Sequence, residues 1–289
     1  MFSEFPILKL EKKDFPPSLL EIPQAPKELY IIGALPPQEF KKLCIVGTRK
    51  CSPYGRDVCE KLVKGLQGYP ISIVSGLAIG TDTIAHEMAL KYGLHTISVP
   101  GSGLGENVLY PRSNITLAKR ILENGGCLLS EFQENFRAAI YSFPQRNRIM
   151  AGMSDAVLII EAEAKSGTLI TARLATEYNK DVLTVPGSIF SNNFEGPLLL
   201  LRLGATPVAS SDDILDALGI EHTKEFKTKN LFLELSDDEK TLVETIASPK
   251  TRDEILESIG WQASKLGQIM TLLEIKGVIK ESGGKVYIT

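Results

Sequence analysis

A chain of 289 residues, 43% of them hydrophobic and 23% charged, has the length for one large domain plus a smaller one and the composition of a soluble globular protein. Its net charge of −3 excludes a protein that coats nucleic acid by bulk charge, so any nucleic-acid contact must come from a local patch. No run approaches the roughly 18 apolar residues needed to span a membrane. Cys44, Cys51, Cys59 and Cys127 form no CxxC pair, and with His86, His95 and His222 as the only histidines no metal-ligand spacing exists. The start, Met1 to Leu10, carries Glu4 and Lys9 among scattered apolar residues and does not read as a signal peptide. The expectation is a cytoplasmic protein with reduced thiols, no metal and no cofactor.

Residues 1–40 hold seven prolines, and the pattern predicts an extended N-terminal arm with short helices. From residue 41 to 219, short apolar runs alternate with amphipathic stretches. The runs are 43–47, 71–76, 95–100, 127–131, 156–162, 181–187 and 205–210, several continuous and β-branched, as in strands covered on both faces. Helical stretches fall at Thr81–Tyr92, Leu169–Asn179 and Asp212–Leu218. This rhythm predicts an α/β, Rossmann-like, doubly wound and mostly parallel sheet. Residues 220–233 are charged without an apolar period and read as a linker. In 234–289, Ser236 with Glu239 and Thr251 with Glu254 are capping-box pairs heading two helices. A third helix spans Gln262–Lys276, and two short strands flank a Gly-Gly turn, which together suggest a winged helix. From Leu231 onward there are 7 basic and 10 acidic residues, so this segment carries the whole acidic excess.

In open parallel sheets, ligands bind beyond the carboxyl ends of the strands. Three turns there are rich in small residues: Gly47-Thr48-Arg49-Lys50 with Ser52, then Ser75 to Asp82 with Gly76, Ala78 and Gly80, then Ser166-Gly167-Thr168. Each precedes a helix whose first N–H groups favour an anion, and Arg49 adds a forked cation suited to phosphate. Any one of these turns is equally well a tight βα connection. Together they predict a multi-pronged phosphate grip.

Phe143-Pro144-Gln145-Arg146-Asn147-Arg148 places a ring, two guanidinium groups and an amide within six residues. Single strands are held by aromatic stacking on bases and cationic contact with the backbone. The same segment could be a solvated helix start with Phe143 plugging the core. Enzymatic patterns are poor by comparison. The segment 101–106 has Glu106 where a dinucleotide fingerprint needs its third glycine, and no P-loop exists. Neither Ser75 nor Ser102 lies in GxSxG. The competing reading is a Rossmann-like nucleotide-binding hydrolase that uses Glu161 or Asp82 on a nucleoside monophosphate. Its phosphate loop would need a glutamate where Thr171 stands.

The segments 47–55, 75–82, 143–175 and 185–191 together resemble the DNA-processing protein A (DprA/Smf) family. The resemblance covers about residues 15–219 and extends to the C-terminal winged helix. It implies a non-enzymatic, homodimeric protein that binds single-stranded DNA with little sequence preference. It also implies that the protein protects incoming strands in natural transformation and helps load the RecA recombinase. It maps phosphate-gripping residues to Thr48, Arg49, Ser52, Gly76, Ala78 and Gly80, and the base-contacting group to Phe143, Arg146, Asn147 and Arg148. Two departures stand out. This chain has no room at its start for the family's helical N-terminal domain, and Leu198 replaces a family Asn within an apolar stripe, Pro197 to Leu201, that is either buried or part of a subunit contact.

Overall fold

All seven apolar runs become strands of one nine-stranded sheet in the computed structural model, which describes residues 4–221, 236–246, 250–275, 278–282 and 284–288. The strands are β1 (Leu8–Lys9), β2 (Tyr30–Gly33), β3 (Lys41–Val46), β4 (Ile71–Ser75), β5 (His95–Ser98), β6 (Cys127–Ser130), β7 (Ala156–Ile159), β8 (Asp181–Thr184) and β9 (Thr206–Pro207). Their spatial order is β1-β2-β6-β5-β4-β3-β7-β8-β9. Strands β3 to β9 run parallel to one another, while β2 pairs antiparallel with β6 and β1 antiparallel with β2. The α/β, Rossmann-like, mostly parallel sheet expected from the sequence is the one observed.

Alternation along each strand sends side chains to opposite faces. Leu43 and Ile45 of β3, with Ala156 and Leu158 of β7, enter one core with helices α2 (Pro53–Gly65) and α3 (Thr81–Lys91). On the same face lie α4 (Ile115–Glu123), packed beside α3, and α8 (Ser211–Ala217). Cys44, Val46, Val157 and Ile159 enter the opposite core with α1 (Pro17–Leu20), α5 (Ser142–Met153) and α6 (Thr168–Glu177). Both faces being covered explains why these strands read as continuous apolar runs.

Within the expected arm, residues 4–40 do not stand apart. Tyr30 to Gly33 pairs with Ser130 to Cys127, and Phe15, Leu19, Ile22 and Leu29 are buried in the core of α5. Its prolines interrupt helices without removing the apolar residues between them, and Pro17 occupies the first helical position, where a missing N–H costs nothing. The apolar stripe falls on α7 (Glu195–Arg202) and divides around it. Leu200 is buried, whereas Leu199 and, just beyond the helix, Leu203 are exposed.

The chain divides near residue 222 into two units. Residues 222–233 of the expected linker lie outside the described residues. The second unit has α9 (Asp237–Thr245), α10 (Arg252–Ile259), α11 (Ala263–Ile275) and the antiparallel pair β10 (Ile279–Ser282) and β11 (Lys285–Ile288). Both capping boxes form as the sequence predicts, on Ser236 and Thr251. Leu242, Val243, Ile255, Leu266, Met270 and Leu273 build a separate small core.

Candidate nucleic-acid interface

The chain winds outward from β3 in both directions, through β4, β5 and β6 on one side and β7, β8 and β9 on the other. Such a switch point opens a crevice beyond the strand ends. Here the three small-residue turns are tied to one another. The Thr48 N–H donates to the Glu161 carbonyl (2.8 Å), the Thr48 carbonyl accepts from the Thr81 N–H (3.1 Å), and Thr168 Oγ1 donates to the Gly47 carbonyl (3.0 Å). Gly80, at φ +83°, starts α3 with its Cα so near the Thr48 and Arg49 carbonyls that a Cβ would lie 2.5 Å from them.

Two of the three turns already hold an anion, and it is the protein's own. Glu161 is fully buried; its carboxylate accepts from the Ser52 N–H (2.9 Å) and from Ser52 Oγ (2.5 Å) at the start of α2. The Asp82 carboxylate accepts from the N–H groups of Gly76 (3.1 Å) and Ala78 (3.3 Å). Burial pushes the Asp82 carboxyl up, opposed by the Arg146 guanidinium and by these two N–H donors. In this structure the Ser52, Gly76 and Ala78 groups, expected to meet phosphate, serve internal carboxylates. Thr48 is buried, and its hydroxyl accepts the Lys50 N–H (3.2 Å), so it shapes the turn. The same bonds engage both Glu161 and Asp82, the carboxylates between which the hydrolase reading chooses. A turn that binds an internal anion and one that binds an external anion have the same composition, which is why sequence could not separate them.

The third turn holds no such carboxylate among the described contacts. Ser166 Oγ accepts the Thr168 N–H (3.1 Å), and Gly167 is exposed at the start of α6. It faces a cavity of about 220 Å³ lined also by Arg49, Ala78, Asp82, Arg146 and Asn147. Arg146, only 5% exposed, donates from Nη1 to the Gly76 carbonyl (2.6 Å) and to the Val99 carbonyl, and from Nε to Asn147 Oδ1 (3.1 Å). It thereby clamps the ends of β4 and β5. Asn147 Nδ2 reaches the Gly167 carbonyl at 3.5 Å. Arg49, which lines this cavity, is exposed, with Cζ 5.3 Å above the half-buried Phe143 ring, a cation–π pair.

Arg148 departs from the expected site. Residues two apart on a helix point away from each other. Arg148 therefore turns to the opposite side of α5, where it ion-pairs with Glu131 and donates to the Gln24 carbonyl (2.5 Å). Burial raises the Glu131 carboxyl, opposed by that guanidinium. The structure also adds residues that sequence reasoning passed over. Tyr110 packs 5.7 Å from Phe143, and exposed Ile79 joins them around a second opening shared with Arg49 and Arg146. An aromatic at the head of a Tyr-Pro pair after the 95–100 strand was the signal available for Tyr110. Among the described residues there is no helix long and apolar enough to cross a membrane and no cluster of three potential metal ligands.

Residues 6–219 match the family model of DNA recombination-mediator protein A. The chain is 40% identical over 214 residues to the DNA processing protein DprA of Streptococcus pneumoniae, covering 74% of each chain. It is 38% identical over 212 residues to protein Smf of Escherichia coli, covering 73% of this chain but 56% of that one, so it spans little more than half of that relative's length. The S. pneumoniae DprA crystal structure superposes with a TM-score of 0.68 at 38% identity, over 77% of this chain and 76% of that one. DNA processing protein A from Helicobacter pylori, whose structure was described for its single-stranded-DNA binding mode, superposes with a TM-score of 0.66 at 32% identity, over 75% of this chain and 98% of that one. With a family model matched over most of its length and relatives of this identity, the chain belongs to the DNA recombination-mediator protein A (DprA/Smf) family.

Proposed function

We propose that the chain binds single-stranded DNA along the carboxyl rim of its sheet, with little sequence preference and without catalytic turnover. The observation that carries the reading is the cavity where Arg49, Arg146, Asn147 and the Ser166-Gly167-Thr168 turn converge beside Phe143. A phosphate would sit at the start of α6, the turn with no internal carboxylate among the described contacts, and meet Arg49. Phe143 and Tyr110 would stack a base. Arg146 acts from beneath by holding the β4 and β5 ends in place. Thr48, Ser52, Gly76, Ala78 and Gly80 shape the same floor.

The family membership and the H. pylori relative support extending this to recombination. In this reading the protein protects single strands in the cytoplasm and helps load RecA on them, in natural transformation where the host takes up DNA. The grip of one protomer is small and the chain is acidic, so tight binding calls for a homodimer placing two grips on one strand. The second unit we read as a winged helix that contacts protein. Two of its cations are engaged internally: Lys265 pairs with Asp238 (2.8 Å) and lies over Trp261, and Arg252 binds Glu281.

The test is a salt titration of an unstructured oligonucleotide beside a nucleotide-hydrolysis assay. Arg49→Ala should weaken binding to every sequence alike and reduce the log–log salt slope by about 0.7. Unchanged affinity in that variant, or turnover of a nucleoside monophosphate, would refute the reading.

A further inference from the structure

Apolar side chains are not scattered evenly over the first unit. Tyr54, Ile79, Tyr110, Tyr141, Ile189 and Phe190 are all exposed, and all lie on segments that follow the carboxyl ends of parallel strands. Concentrated apolar exposure on one rim marks a binding surface. The most exposed of these is Phe190, at 92%, in the loop after β8.

That loop is fastened at both ends to the first turn of the phosphate grip. Tyr54, on α2, donates its hydroxyl to the Pro186 carbonyl (3.3 Å), and Asn193 Nδ2 reaches the Lys50 carbonyl (3.5 Å). The Ala162 N–H donates to the Asn193 carbonyl (2.7 Å), and Phe194 packs its ring 5.6 Å from Tyr54. At the tip, Ser188 Oγ accepts the Phe190 N–H (3.2 Å), and the Ser188 carbonyl accepts the Ser191 N–H (3.1 Å). A loop anchored in this way holds Phe190 in a defined place on the rim.

We propose that Phe190, presented by this loop, is a second base-stacking station, so that the single-strand track runs across the rim from Phe143 at the β5 end to Phe190 at the β8 end. This rests on the single-strand reading given above. The exposed cations Arg49 and Lys50 follow β3, between the two rings. Ring, cations, ring is the pattern that sequence-tolerant single-strand binding uses. Four strand spacings of about 4.8 Å separate the β5 and β8 ends, a span of roughly 19 Å. At about 3.4 Å per stacked nucleotide that accommodates about six nucleotides. A strand that reaches only one ring should be indifferent to the other.

The experiment compares oligodeoxythymidines of about 12 and about 3 nucleotides on the full chain. Phe190→Ala should weaken the longer one about 10-fold and leave the shorter one unchanged, and Phe190→Tyr should restore binding. The chain's one tryptophan, Trp261, lies in the second unit, so Phe190→Trp should add a fluorescence signal quenched by the longer strand alone. Unchanged affinity of Phe190→Ala for the longer strand overturns the station. A loss that accompanies dissociation of the protein on sedimentation also overturns it, making Phe190 a contact between copies. Arg49→Ala, run in parallel, separates the two ideas: loss there with none at Phe190 leaves the phosphate grip and removes only the station.

Discussion

The Arg146 guanidinium fills the space a side chain on Gly76 would need: a Cβ on Gly76 would lie 2.0 Å from Nη1, the atom that donates to the Gly76 carbonyl at 2.6 Å. The glycine of the second turn and the arginine of α5 are thus two halves of one contact. Asp82 completes the arrangement by accepting the Gly76 N–H.

Removing Arg146 should therefore act on stability first. Arg146→Ala leaves the Gly76 and Val99 carbonyls unpaired and Asp82 without its nearest cation. The expected cost is about 3–5 kcal/mol, read as a lower urea midpoint. Replacing Asp82 by Asn in the same chain should recover part of it, because the buried carboxylate is then gone.

Phe143 should behave in the opposite way. It is half-buried beside Tyr110 and Ile79, so Phe143→Ala should cost little stability. It should weaken single-strand binding by about 1–3 kcal/mol per base no longer stacked. The salt slope should stay the same, since no charge is removed. Isothermal titration at two salt concentrations checks both statements.

Arg148 should separate from Arg49. Its side chain is 10% exposed and pairs with Glu131, itself 9% exposed, away from the cavity. Arg148→Ala should lower stability by about 3 kcal/mol by orphaning a buried carboxylate. Strand affinity measured well below the melting temperature should keep the parent salt slope.

His86 sets an acid limit on the fold. It is fully buried, bonds Thr96 through Nδ1 (2.8 Å), and burial pushes its pKa from 6.5 down to about 3. The unfolded chain binds this proton more readily than the folded one, so stability is present above pH 6.5 and is lost as pH falls toward about 3. The full loss is on the order of 5 kcal/mol. Asp82, raised by burial, pulls the other way. The His86→Gln variant should flatten the pH dependence of the urea midpoint between pH 7 and pH 4.5, and the difference from the parent isolates the imidazole.

Much of this protein was written in short-range pattern. The parallel sheet follows from β-branched runs spaced by helices, because two-sided burial demands continuous apolar strands. Ser236 and Thr251 cap their helices as the spacing to Glu239 and Glu254 dictates, since both halves of a capping box lie within one turn. The placement of Arg49 and Phe143 on one rim follows from where their segments meet the strand ends.

Partnership across the fold belonged to tertiary structure alone. Whether a glycine turn is open or filled depended on Glu161 and Asp82, and Glu161 lies 109 residues from the Ser52 it binds. Arg146 and Arg148 look equivalent in sequence, yet helical geometry sends one to the cavity floor and the other to Glu131. The segment 4–40 joined the sheet because β6 offered an open edge to Tyr30–Gly33. Local composition decides which conformations and charges are available; only packing decides which anion, internal or external, each turn receives.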